Sequence, residues 1–178
     1  MKYITIATDI SCDPRHKIST WACYIRYSGG IIKEVGEFKE YQNNTIFAET
    51  YALINALTIA NRNIPDWNNS KIVIHNEIER VLTPLRTKNG QLKRSETHRS
   101  EAIMGIALPL LNQTASWERR KIKAHYKDWK TSDSPAKYAI NRWCDIESRK
   151  LLRKIRIQNE CSKMLAFPFF FMYNSIDR

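Results

Sequence analysis

Ile4 and Ile6 alternate with Thr5 and Ala7 across Tyr3 to Thr8, the period-two pattern of a strand, here ending at Asp9. Residues 10–19 are polar, contain Pro14 and predict a loop. Thr20 to Tyr27 is rich in aromatic and β-branched residues. Ser28-Gly29-Gly30 then supplies a turn and Ile31 to Lys39 a further strand, which together predict a hairpin. Gln42-Asn43-Asn44-Thr45 offers capping side chains before a helix over Phe47 to Ala60. Residues 61–70, with Pro65, predict a loop, and the unbroken Ile72-Val73-Ile74 within Lys71 to His75 predicts a strand covered on both faces. Glu77 to Leu85 predicts a short helix stopped near Pro84, and the polar, basic stretch Arg86 to His98 a protruding loop. Ser100 to Asn112 is apolar and predicts a helix whose last turn Pro109 distorts, and Arg119 to His125 alternates as a fifth strand. A long helix from Pro135 to about Asn159 is entered through Ser132-Asp133-Ser134, with proline in its first turn.

Three strands in a meander, followed by strand–helix units, imply an α/β domain. Its sheet is mixed and five-stranded, with three antiparallel strands then two parallel ones, flanked by helices. A chain of 178 residues fits one such domain. At 43% hydrophobic and 11% aromatic residues it is not a disordered tail. No apolar run approaches the roughly 20 residues of a membrane span, and the first residues lack a signal-peptide core, so a cytoplasmic protein without membrane association is expected. Cys12, Cys23, Cys144 and Cys161 have no zinc-ligand spacing and are expected to be free.

The formal charge of +11 is unevenly placed. Residues 80–130 hold 12 basic and 4 acidic side chains, residues 137–163 hold 8 and 3, and the rest of the chain 9 and 11. Two basic segments with Trp117, Tyr126, Trp129, Tyr138 and Trp143 in or beside them suit a polyanion, foremost nucleic acid; solvated helix faces are the plainer alternative.

Four acids stand out against this background. Glu49 lies on the same helical stripe as Ala52, Leu53, Ala56, Leu57 and Ala60, where a carboxylate must be paired, protonated or metal-bound unless it reaches water from the first turn. Asp9 ends the first strand and Glu77 follows the fourth beside Asn76. Asp145 borders the apolar stripe of the last helix, four residues before Arg149. Each has an ordinary role as turn, cap or solvated residue. Brought together, they would repel one another and call for divalent cations, for which hard oxygen ligands favour Mg²⁺ or Mn²⁺.

The segments ITIATD (4–9), AETYALINAL (48–57), KIVIHNEIERV (71–81), and IKAH (122–125) with NRWCD (141–145) resemble the type I ribonuclease H family, over about residues 1–157. The resemblance implies a ribonuclease H-like fold and hydrolysis of the RNA strand of an RNA–DNA hybrid. It also implies two bound ions, Mg²⁺ or alternatively Mn²⁺, held by Asp9, Glu49, Glu77 and Asp145. Asn141 matches an asparagine the family uses near its site. Lys88, Lys93, Arg94 and Arg99, helped by Trp117, would grip the DNA backbone. The family's third acid is usually aspartate, so either Glu77 or Asn76 occupies that place. The loop histidine of the family falls near Asp128, with His125 the nearest imidazole. Residues 158–178 have no counterpart; their apolar Phe167 to Met172 stretch either packs on the domain or meets a protein partner. Two alternatives stand beside the hybrid nuclease: a catalytically degraded nucleic-acid binder on the same fold, and a DNA nuclease of the same superfamily.

Overall fold

The computed structural model describes residues 1–78, 80–122 and 135–165. Its elements are β1 (Lys2–Asp13), β2 (Ile18–Tyr27), β3 (Gly30–Glu37), α1 (Thr45–Asn63), β4 (Ser70–Asn76), α2 (Thr97–Ala102), α3 (Leu108–Asn112), β5 (Ser116–Lys121) and α4 (Pro135–Leu165). They form the expected mixed sheet, in the order β3-β2-β1-β4-β5. β1 pairs antiparallel with β2 and β2 with β3, whereas β4 runs parallel to both β1 and β5.

The sheet buries its two faces differently. Ile4 and Ile6 of β1, Cys23 and Ile25 of β2, and Ile72 and Ile74 of β4 meet Leu53, Ala56, Leu57 and Ala60 of α1. On the opposite face Ala7 and Ala22 pack against Ile140 and Cys144 of α4. α1 starts at Asn44, whose side chain accepts from the N–H groups of Ile46 and Phe47, satisfying two amides that no helical carbonyl reaches. Close packing on the first face also explains Gly36. A Cβ there would come within 2.7 Å of the Trp21 indole. Leu57 is fully buried, so Leu57→Ala should lower the unfolding free energy by about 2–5 kcal/mol, read as a shifted denaturant midpoint at unchanged slope.

Six local expectations need correction. Residues 10–19 are not a loop: β1 continues to Asp13, pairing Asp13 with Ile18, and only residues 14–17 turn. The polar residues there are bonded, not solvated. The hydroxyls of Ser11 and Ser148 lie 3.1 Å apart, and the Thr20 hydroxyl donates to the Ser148 carbonyl at 2.8 Å. Asp9 therefore sits within a strand. Residues 77–85 form no helix among those described, because their carbonyls turn elsewhere: those of Arg80, Val81 and Thr83 accept from the Arg99 guanidinium. The Arg86–His98 segment is partly ordered, with a bridge between Arg86 and Leu92 and a helical turn at Arg94–Glu96 leading into α2. The helical run 97–112 widens at Ile103–Ala107 into a π turn, where the Leu108 N–H bonds back to Ile103. The wider turn moves the Gly105 carbonyl clear of the Pro109 ring. β5 starts at Ser116, earlier than expected, and α4 runs unbroken past the expected end near Asn159 to Leu165. Cys23 and Cys144 are buried, Cys12 is half-buried and Cys161 exposed, all with free thiols. No described helix is long and apolar enough to cross a membrane.

Candidate active site

Strand register places the first two acids. β1 and β4 are parallel and neighbouring, with Ala7 opposite His75. Asp9 and Glu77 each lie two residues beyond this last registered pair, Asp9 still within β1 and Glu77 just past the end of β4. Ala7 packs against α4, so by alternation Asp9 faces α4 as well. The Cys144 thiol, which donates to the Ala7 carbonyl at 3.5 Å, pins α4 to β1 at that level, and Asp145 is the next residue. Glu49 enters from the buried stripe of α1 and is itself buried.

Repulsion couples Asp9 to Asp145 and Glu77, and Glu49 to Asp9 and Glu77. Burial is the main force pushing the Asp9 carboxyl up to about 7, and repulsion from Asp145 and Glu77 adds to it, against the Ile10 N–H and Arg149. Glu49 is likewise pushed well above the usual carboxylate range, first by burial and then by Asp9 and Glu77. Two acids carry fixed partners. The Asn141 Nδ2 donates to Glu77 Oε1 at 3.0 Å, and the Arg149 guanidinium pairs with Asp145 Oδ1 at 2.7 Å. Asn76 is fully buried, with its Nδ2 donating to the Ile78 carbonyl at 3.0 Å, and it continues the side of β4 that carries Ile72 and Ile74. Glu77, not Asn76, faces the other acids.

Among the described residues no three His, Cys, Asp or Glu side chains are grouped tightly enough to cage an ion. The donor set nevertheless suits a hard cation. It is all oxygen, and Glu49 Oε2 is buried with no hydrogen-bond partner, as is Asn141 Oδ1. Asn141 and Arg149 each occupy one oxygen of Glu77 and Asp145, respectively.

The remaining candidates are dispersed. Lys88, Lys93 and Arg94 are exposed around the turn of residues 86–94. Arg99 is not: it is fully buried, its Nε donating to Glu96 Oε2 at 2.6 Å and its other nitrogens to Thr50 and three carbonyls. It cannot grip a DNA backbone, which is a correction to the sequence-based assignment. Trp117 is 37% exposed but registers with Ile72, so it lies about 16 Å along the sheet from Glu77. His125 and Asp128 lie outside the described residues. The Asp145–Arg149 pair follows one of the readings the sequence offered, whereas the buried Glu96–Arg99 pair was missed from it. The i, i+4 spacing from Asp145 signalled the first, and nothing in a basic stretch marks one arginine as buried.

The fold is similar to that of solved structures. The N-terminal RNase H domain of Rv2228c from Mycobacterium tuberculosis superposes with a TM-score of 0.56 at 11% identity, over 87% of this chain and 99% of that one. LC11-RNase H1, isolated from compost by a metagenomic approach, gives 0.52 at 20% identity over 80% and 98%. The fold is ribonuclease H-like. No family model matches the sequence, and no curated protein is similar to it at the sequence level.

Proposed function

We propose that this ribonuclease H-like domain is a metal-dependent endonuclease that hydrolyses the RNA strand of RNA–DNA hybrids. The observation that carries the proposal is that buried Asp9 of β1 is repelled by Asp145 of α4 and by Glu77 just past β4, and buried Glu49 of α1 by Asp9 and Glu77, which adds to the effect of burial in raising the Asp9 and Glu49 carboxyls. Fold alone does not decide function; the acids are what support this reading. Divalent ions held by these carboxylates would supply an activated water and stabilise the leaving oxygen of a phosphodiester. The chain's own groups set the stage for this. The Ile10 N–H donates to Asp9 Oδ1 at 2.8 Å and Asn141 fixes the Glu77 carboxylate, so both acids are oriented. Asn141 keeps Oδ1 as a buried acceptor for a water or a ribose hydroxyl, the group that separates RNA from DNA.

The test is hydrolysis of an end-labelled hybrid by the full chain in Mg²⁺ or Mn²⁺, beside a DNA duplex of the same sequence. Cleavage confined to the RNA strand, and lost in Asp145→Asn, is expected. Cleavage of the DNA duplex would assign the site to a DNA nuclease instead, and no metal-dependent cleavage would overturn the proposal. The pairing of Glu77 with Asn141 and of Asp145 with Arg149 favours one second reading, a nucleic-acid binder whose site no longer loads metal. A melting scan separates the two. Mn²⁺ at about 100 times its dissociation constant should stabilise the nuclease by about 2.7 kcal/mol, with a larger effect at pH 8 than at pH 5 because protons on the acids compete with the ion. A degraded site would not respond.

A further inference from the structure

α4 continues well beyond the acidic cluster, and its outer face is strongly basic. Ile140, Cys144 and Ser148 turn toward the sheet, where Cys144 and Ser148 bond to β1. On the far side Arg142, Arg149, Arg153 and Arg156 recur at whole-turn intervals and are all exposed, so they form one stripe, with Lys150 and Lys154 a step around the helix. From Arg142 to Arg156 the stripe is about 21 Å long at 1.5 Å per residue. It begins at the proposed site, since Arg149 pairs with Asp145 at 2.7 Å. The other acid in this span, Glu147, pairs with Lys150, and Glu160 approaches Arg156 at 4.0 Å. Arg153 and Lys154 have no acidic partner among the described residues.

A straight, exposed basic face, whose six cations from Arg142 to Arg156 outnumber the two acids Asp145 and Glu147 and which starts beside the proposed cleavage site, matches a polyanion of regular charge. About 21 Å corresponds to roughly six base-pair steps, each carrying two phosphates per 3.4 Å. Guanidinium forks suit phosphate oxygens. We infer that the outer face of α4 binds the backbone of the hybrid beyond the cleavage point, as a track that lengthens the footprint. This rests on the proposed function for the identity of the duplex, and it adds a surface that neither Lys88, Lys93 and Arg94 nor the acids supply.

The test compares the wild-type chain with the triple variant Arg153→Gln, Lys154→Gln, Arg156→Gln, with folding checked by circular dichroism and melting. Binding to hybrids of 8 and 20 base pairs is measured in EDTA across a range of salt. The wild type should bind the longer hybrid more tightly. In the variant that advantage should shrink at least tenfold, and the slope of log affinity against log salt should become shallower by about 2–3. The variant Arg153→Lys, Arg156→Lys should keep the wild-type slope. An unchanged slope and length dependence in the triple variant would overturn the inference, as would wild-type binding to phosphatidylserine vesicles with no binding to the hybrid. Because binding is read without metal, the two claims separate. Salt-steep binding lost in the variant, with no cleavage by the wild type in Mg²⁺, refutes the nuclease and keeps the track; RNA-strand cleavage with an unchanged slope does the reverse.

Discussion

Asp9→Asn should have two opposite effects: loss of hybrid hydrolysis and a gain in stability of the metal-free protein at pH 8. The first follows from its place among the four acids. Removing one member of a group that acts as a unit lowers turnover by about 10⁴-fold or more. The second follows from its proton. In the fold the Asp9 carboxyl titrates at about 7 against an ordinary value of 3.8, because burial and its acidic neighbours penalise the anion. Between those two pH values the folded chain binds more protons than the unfolded one. Stability is therefore greatest below the lower value, declines as pH rises through the window, and levels off above about 7. The full shift corresponds to at most about 4 kcal/mol. Asparagine carries no such charge, so the variant should match the wild type near pH 4 and exceed it at pH 8. Glu49, raised for the same reasons, steepens the decline in both proteins. Denaturant unfolding in EDTA at the two pH values, beside a hybrid cleavage assay in Mn²⁺, reads both effects. An inactive variant with no gain at pH 8 would mean that the Asp9 carboxylate is not confined among like charges. A stabilised but fully active one would remove Asp9 from the catalytic group.

What the sequence made legible follows from which physics acts locally. The alternation of Ile4 and Ile6, the unbroken Ile72-Val73-Ile74 and the α1 stripe are driven by burial along one element, and those elements lie where their patterns placed them. The same alternation carries Asp9 with Ala7 and separates Glu77 from Asn76 once the parallel pairing of Ala7 with His75 is known. The second half of β1 and the start of β2 were hidden because their polar side chains find partners far off in the chain: Ser11 and Thr20 bond to Ser148. The lost helix at residues 77–85 has the same cause. Its propensity was real, but Arg99 claims the carbonyls from a distance in sequence. Polar networks spanning the fold carry no periodic signal, and they account for most of the differences.

Arg99→Met should be the most destabilising single change in the domain, by about 3–5 kcal/mol, because it strands the buried Glu96 carboxylate. Arg99 and Glu96 are almost completely enclosed, at 0% and 1% exposure. The guanidinium serves several acceptors at once: Glu96 Oε2, the Thr50 hydroxyl at 3.2 Å, and the carbonyls of Arg80, Val81 and Thr83. Thr50 in turn donates to the Val81 carbonyl at 2.9 Å, so α1 is tied to the segment that follows Glu77 through both residues. Losing the pair removes those bonds and leaves one charge without a partner. The double replacement Glu96→Leu, Arg99→Met removes both charges and should recover much of the loss, since a buried pair exchanged for apolar side chains of similar size is often close to neutral. A double-mutant cycle by urea unfolding measures the coupling, expected to be about 2 kcal/mol or more in favour of the pair. The tie also predicts a functional effect. Thr50 adjoins Glu49, and residues 80–83 follow closely on Glu77, so Arg99→Met should weaken Mn²⁺ binding measured calorimetrically below the variant's melting temperature. Leu111→Ala, a buried change in α3 away from the acids, should lower stability and leave the ion's affinity unchanged. Equal effects of the two variants on Mn²⁺ affinity would reduce the Glu96–Arg99 pair to a contribution to stability alone.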